Sequence, residues 1–239
     1  MGIKERHERD REAVRRAILD AARELFVTEG FPHVSIRKIA ERIEYSPAAI
    51  YSYFASKDDI FFALAEEGFR LLGDPDDAAG REDLKGLAPL DRVRAVFRRL
   101  YQFSREQPQY FALMFMDRSV PRIGREYDRF AFVQSMKQHI AEEIQACIAS
   151  GDLPKTTKPG VALRMLTAGL LGIASLRLSE RLAPGENADD LAADVIDVTL
   201  AGLRTGLPLR AANVPLCSAG EPVEVAAAHS SIPQSVQES

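Results

Sequence analysis

Residues 35–57 read SIRKIAERIEYSPAAIYSYFASK, and the order of caps and apolar positions in this stretch decides the fold. Ser35 precedes IRKIAERI and can accept from a free backbone N–H at a helix start. Ile36, Ile39, Ala40 and Ile43 recur at helical spacing and face inward. Ser46 caps a second helix, with Pro47 at its first position, where the missing N–H costs nothing. Ile50 and Phe54, four apart, form the expected buried pair. That leaves Ala48, Ala49, Ser52 and Tyr53 outward, with Tyr51 nearby, because one helical turn cannot bury Ile50, Tyr51, Tyr53 and Phe54 together. Two short helices joined by a tight turn are the outline of a helix-turn-helix, whose second helix is shaped for the major groove of DNA.

Helical period extends outward in both directions. Val14, Ile18, Ala21, Ala22, Leu25 and Phe26 make an amphipathic first helix that stops at Gly30, with Pro32 beyond. Ser56 opens a fourth helix with Asp58 and Asp59 in its first turn. Residues 73–88 are rich in Gly and Asp and read as a linker or inter-helix loop. Further helices are expected at about 90–106, 108–117, 122–150, 160–181 and 188–206. From Pro208 onward no apolar period survives, and disorder is expected. With no strand pattern, the fold class is all-α: a helix-turn-helix domain over 10–57, a larger helical domain over 58–207 and a tail over 208–239.

Composition excludes more than it selects. The chain has 239 residues and a net charge of −4, so bulk charge does not point to nucleic acid. Residues 1–57 nevertheless carry 11 Lys or Arg against 9 Asp or Glu, and the remainder 20 against 26. A mildly basic head on an acidic body suits local phosphate contact. The opening MGIKERHERDRE has no apolar core for a secretory signal. The run VALRMLTAGLLGIASLRL at 161–178 is interrupted by Arg164 and Arg177, and at 18 residues falls short of the roughly 20 needed to span a bilayer. It reads as a buried or interface helix. Cys147 and Cys217 suggest neither a disulfide framework nor a metal cluster, so a reducing cytoplasm is expected. No phosphate loop, H-E-x-x-H or nucleophile elbow is present, and no cofactor or metal is expected.

The spacing S-x-x-x-I-A followed by S-P-x-x-I-Y-x-Y-F-x-x-K-D-D-I-F, within residues 12–65, resembles the DNA-binding domain of TetR/AcrR-type transcriptional regulators. The resemblance implies a three-helix DNA-binding domain, a helical ligand-binding domain and a homodimer. It assigns phosphate contact to Ser35, Tyr51, Tyr53 and Lys57, and base-edge contact to Arg37, Ala48, Ala49 and Ser52, around the Ser46–Pro47 helix start. Arg37 can bind guanine or serve as a phosphate contact or solvated charge. The turn departs from the family, where A-G-V-S is common. Here it is Ile43-Glu44-Tyr45-Ser46, so Glu44 must adopt a strained conformation or the turn must differ. Lys4, Arg6, Arg9, Arg11, Arg15 and Arg16 alternate with acidic residues and read as a solvated helix face, with a DNA-contacting arm as the alternative.

In the larger domain, Phe97, Tyr101, Phe111, Met114, Phe115, Phe130, Met136 and Met165 supply aromatic and thioether surface over four expected helices. Such residues make an ordinary core or line a pocket for a small apolar ligand, and the resemblance favours a ligand domain. The last two helices carry more apolar surface than one partner covers. Gly169 and Gly172 permit close approach there, and Val195, Val198, Thr199 and Leu203 offer a second stripe. Two such helices per subunit would form an intermolecular four-helix bundle. The combined expectation is a homodimeric repressor released from double-stranded operator DNA by a small apolar or amphipathic effector, not an enzyme and not a membrane protein. The alternative is a helical sensor whose DNA binding has weakened or been lost.

Overall fold

The computed structural model describes residues 3–73, 84, 86–117, 119–120 and 131–211. Phe130, Cys217, most of the expected linker, the start of the expected helix at 122 and nearly all of the tail lie outside them. The described residues form nine α-helices and no strand. The N-terminal unit comprises α1 (Ile3–Glu29), α2 (Ile36–Arg42) and α3 (Pro47–Tyr51), with a 3-10 turn at Phe31–His33 between α1 and α2. Next comes α4 (Lys57–Leu72). The C-terminal unit contains α5 (Pro89–Glu106), α6 (Pro108–Phe111), α7 (Ala131–Ser150), α8 (Pro159–Leu178) and α9 (Ala188–Arg204).

The caps lie where their side chains require. Ser35 Oγ accepts from Lys38 N at 3.2 Å and Ser46 Oγ from Ala49 N at 3.2 Å. Ser56 Oγ accepts from Asp59 N at 3.1 Å. Each satisfies one of the unpaired donors of a first turn. Two boundaries differ from expectation. α1 begins about four turns before its first buried residue, Ile18. α3 ends at Tyr51 rather than running to Phe54, because both Tyr53 N and Phe54 N donate to Ile50 O, at 2.9 and 3.0 Å, which tightens the last turn.

A single core runs through both units. In the first, the Phe26, Phe31, Phe61 and Phe62 rings contact in sequence, with centroids 5.0, 5.8 and 5.6 Å apart. In the second, α5 is central and packs on α7, α8 and α9. Arg92 reaches Glu143 on α7 at 2.6 Å, and Arg94 reaches Asp197 on α9 at 2.9 Å. Gly68 on α4 lies against Tyr110 and the Met114 thioether, so the two units meet without a side chain between them. A single π-helical turn at Ala112–Met116 follows α6, closed by Asp117 N donating to Ala112 O at 3.0 Å.

α8 and α9 pack extensively on each other within one chain. Gly169 faces the Val195 side chain so closely that a Cβ there would overlap it, whereas a Cβ on Gly172 would meet nothing. The two glycines therefore do not share one role: Gly169 serves the contact inside the subunit and Gly172 lies on the outer surface. α8 is long and apolar enough to cross a membrane by composition alone. Leu163, Leu166, Leu170 and Ile173 are buried among its residues, while Met165, Ala168, Gly172 and Leu176 form an exposed stripe.

Candidate nucleic-acid interface

α2 and α3 are held by Ile36, Ile39, Ala40 and Ile50, all buried, with α2 packed on both α1 and α3. Burial of those four fixes what points outward. Ser35, Arg37, Ser46, Pro47, Ala48, Tyr51 and Ser52 are exposed, and Ala49 and Tyr53 are half-buried. The Tyr51 side chain is 55% exposed, and its hydroxyl is well placed to donate to a phosphate. Ser52 is partly engaged, its Oγ donating to Ala49 O at 2.6 Å. Tyr53 leans on the core, with the Arg11 guanidinium 5.8 Å from its ring centroid.

Lys57 is engaged within the subunit. Its ammonium donates to Phe31 O at 2.7 Å and Val34 O at 2.9 Å, and sits 4.1 Å from the Phe31 ring centroid. The carbonyls that close the α1–α2 connection lie within reach of a half-buried ammonium, so Lys57 ties that loop to α4 and is not extended toward solvent. Other bases are paired as well. Arg37 Nε bonds Glu41 Oε1 at 2.8 Å, Arg42 bonds Glu24 at 2.5 Å, and Lys38 pairs with Glu29. These pairs are exposed, and an exposed pair contributes about 0–1 kcal/mol, little enough for a phosphate to displace.

The turn resolves the question posed by Glu44. Its φ is 59°, in the left-handed region. Glu44 N donates to Glu41 O at 3.3 Å and Tyr45 N to Ala40 O at 2.9 Å, the pattern by which a left-handed residue ends a helix. The turn keeps its geometry and Glu44 bears the strain. Tyr45, 45% exposed, follows directly and joins the outward face; sequence reasoning missed it, although its place just after the left-handed residue was the available signal.

The candidate pocket residues do not all converge. Phe97, Tyr101, Phe111 and Met114 are buried and Phe115 and Met136 half-buried. Phe111 lies between Phe103 and Phe115 with its ring tilted to both, centroids 6.5 and 5.1 Å apart, and Phe115 meets Phe69 edge-on at 6.0 Å. Met165 is 41% exposed on the outer stripe of α8 and does not join them. The Tyr101 hydroxyl donates to Asp189 Oδ1 at 2.8 Å, and Arg105 holds the other carboxylate oxygen at 2.6 Å. Burial, then the bond to Asp189, pushes the Tyr101 phenol up to about 12. Arg177 bonds the buried Ser104 through its carbonyl at 2.6 Å.

Between the two units, Arg16 pairs with Glu67, and Arg23 donates to the Tyr110 hydroxyl at 2.7 Å. Burial, then a hydrogen bond to Glu67, raises the Tyr110 phenol above its ordinary value. A cleft of about 430 Å³ opens beside this junction, lined by Asp20, Arg23, Glu24, Arg42 and Gln109 among others.

Residues 18–64 match the family described as bacterial regulatory proteins, tetR family, and residues 93–199 the tetracyclin repressor-like C-terminal domain. The chain belongs to the TetR family. The first match spans the helix-turn-helix, and the second spans α5 to α9. Among curated relatives, the repressor Rv1474c of Mycobacterium tuberculosis is 39% identical over 75 residues, which is 31% of this chain and 38% of that one. The repressor KstR of Rhodococcus jostii is 30% identical over 145 residues, 56% of this chain and 65% of that one. The matched stretches thus span less than two thirds of those relatives. Among solved structures, NalD, the secondary repressor of the MexAB-OprM efflux pump in Pseudomonas aeruginosa, superposes with a TM-score of 0.66 at 24% identity, covering 82% of this chain and 98% of that one. FadR of Bacillus subtilis in complex with stearoyl-CoA superposes at 0.63 with 15% identity, over 78% and 97%. At these identities the likeness carries the TetR fold and nothing finer.

Proposed function

We propose that this TetR-family chain is a homodimeric, ligand-responsive transcriptional regulator, a repressor released from operator DNA by a small apolar or amphipathic molecule. The observation that carries the reading is the α2–α3 face. Ile50 is buried while Ala48 and Tyr51 point outward, and Ser35 stands at the adjacent helix start, so α3 is a short helix supported from behind and presented in front. Ser35, Tyr51 and Tyr53 would hold phosphates, while Ala48, Ala49, Ser52 and Arg37 would meet base edges.

The outer stripe of α8 supports a dimer. Met165, Ala168, Gly172 and Leu176 are exposed on α8, and Val198, Ala201 and Gly202 on α9, with Val198 71% exposed. A second copy would cover these apolar positions and set two α3 helices against successive major grooves. The aromatic cluster around Phe97, Phe111 and Phe115 supports an apolar effector, and the stearoyl-CoA complex of FadR offers one class to try. Ligand entry among these rings would shift populations through α4 and α6 to the Arg16–Glu67 and Arg23–Tyr110 ties, changing the spacing of the two recognition helices. The protein would act in the cytoplasm, where its DNA is.

A second reading has its own support. Arg37, Lys38 and Arg42 are each matched by a carboxylate, and Lys57 is turned inward. A sensor with weakened DNA binding would look like this. Titration of the protein with a duplex taken from upstream of its own gene separates the two. The repressor reading expects saturable binding at physiological salt that falls on adding stearoyl-CoA or another acyl ligand. Binding no tighter than to random duplex would favour the sensor.

A further inference from the structure

The leading end of α3 is short of hydrogen-bonding groups. Pro47, Ala48 and Ala49 open the helix and carry no polar side-chain atom. The two hydroxyls beside them are engaged within the helix: Ser46 Oγ accepts from Ala49 N at 3.2 Å, and Ser52 Oγ gives its proton to Ala49 O at 2.6 Å. Arg37 lies on α2, with its Nε on Glu41 at 2.8 Å. A helix start of this composition is poorly equipped to tell base pairs apart by donors and acceptors. What remains is the one apolar group that a base pair shows in the major groove, the 5-methyl of thymine.

Tyr45 adds to that apolar front. It stands immediately ahead of the Ser46 cap, and the N-terminal residues of a recognition helix are the ones that approach base edges. Its backbone is fixed: Glu44, at φ 59°, reverses the chain, and Tyr45 N donates to Ala40 O at 2.9 Å. Its side chain is free. The ring is 45% exposed, and among the described residues it makes no hydrogen bond and no ring or cation contact. A large ring carried by a fixed turn loses little freedom and gains burial when an apolar surface closes on it.

We propose that Tyr45 is a specificity-determining residue: its ring covers the 5-methyl group of one thymine in each half-site, next to the bases that Ala48 and Ala49 meet. The inference rests on the α2–α3 face being the DNA-reading surface. Covering one methyl is equivalent to about 4-fold in affinity, and to about 15-fold over the two half-sites of a dimer.

The test begins on the DNA. A duplex is selected from a random pool with the full chain. Each thymine of one half-site, together with its mate in the other, is then replaced by deoxyuridine, which lacks only the methyl. At one position the full chain should bind about 15-fold more weakly, and Tyr45→Ser should bind the thymine and deoxyuridine duplexes alike. Tyr45→Phe keeps the ring and should keep the whole methyl dependence. Cytosine and 5-methylcytosine at that position give an independent readout: the full chain should prefer the methylated duplex and Tyr45→Ser should not. If Tyr45→Ser does not fold, Tyr45→Gln, closer in size, takes its place. A selected duplex in which no thymine methyl matters would overturn the proposal. So would a methyl dependence that survives in Tyr45→Ser, which would give the methyl to Ala48 or Ala49, or one lost in Tyr45→Phe, which would make the hydroxyl the contact. In each of those cases Tyr51→Ala still weakens binding if the α2–α3 reading is right; a full chain that selects no duplex would overturn both.

Discussion

Replacing Glu44 by glycine should stabilise the protein, and the amount can be worked from the turn. Glu44 sits at φ 59° as the residue that ends α2, with Glu44 N and Tyr45 N both committed to carbonyls of that helix. A side chain in the left-handed region costs about 1–2 kcal/mol, and Glu44→Gly removes it without touching either hydrogen bond. Glycine also frees the unfolded chain, which takes back about 0.4–1 kcal/mol. The net is a gain of roughly 0.5–1 kcal/mol, or about 1–4 °C in melting temperature for a chain of this size. Glu44→Ala is the control: it keeps Cβ and hence the strain, so its melting temperature should stay within about a degree of the parent. Both variants remove the same carboxylate from the face proposed to meet DNA, so both should tighten duplex binding by the same factor. Thermal unfolding at fixed protein concentration, paired with a duplex titration, reads the two effects apart. If alanine stabilises as much as glycine, the carboxylate and not the backbone was the burden, and the reasoning about the turn is wrong.

Gly169→Ala should lower stability by about 1–3 kcal/mol through overlap with Val195, offset in part by about 1 kcal/mol of helix propensity; Gly169→Ala with Val195→Ala should recover, as unfolding curves would record. Gly172→Leu leaves the subunit folded but should raise the dimer dissociation constant in sedimentation, and an unaltered dimer would move the interface off this stripe. Lys57→Met should lower the melting temperature, since two carbonyls lose their donor, while the salt slope of DNA binding stays unchanged; a slope reduced by about one unit would restore the phosphate role. Because the folded Tyr101 phenol, at about 12, lies above its ordinary value of 10.0, its contribution to stability is complete below pH 10 and is lost as pH rises through 12. Tyr101→Phe should flatten the stability curve in that window and remove the last phase of a tyrosine absorbance titration.

Much of this protein was legible in one dimension. Caps at Ser35, Ser46 and Ser56, the Pro47 start and the spacing of Ile36, Ile39, Ile50 and Phe54 specify the helix-turn-helix locally. Each involves residues within four positions of one another, where helix geometry alone fixes who faces whom. The strain at Glu44 was visible for the same reason: the turn demanded a left-handed residue and the chain had no glycine there. What the sequence could not assign were the partners of long side chains. Lys57 bonds carbonyls 23 and 26 residues away, Gly169 meets Val195 on another helix, and Met165 turned out to face outward because α8 buries its opposite side. A flexible cation or a wide apolar helix offers several faces, and only the packing of neighbouring helices chooses among them.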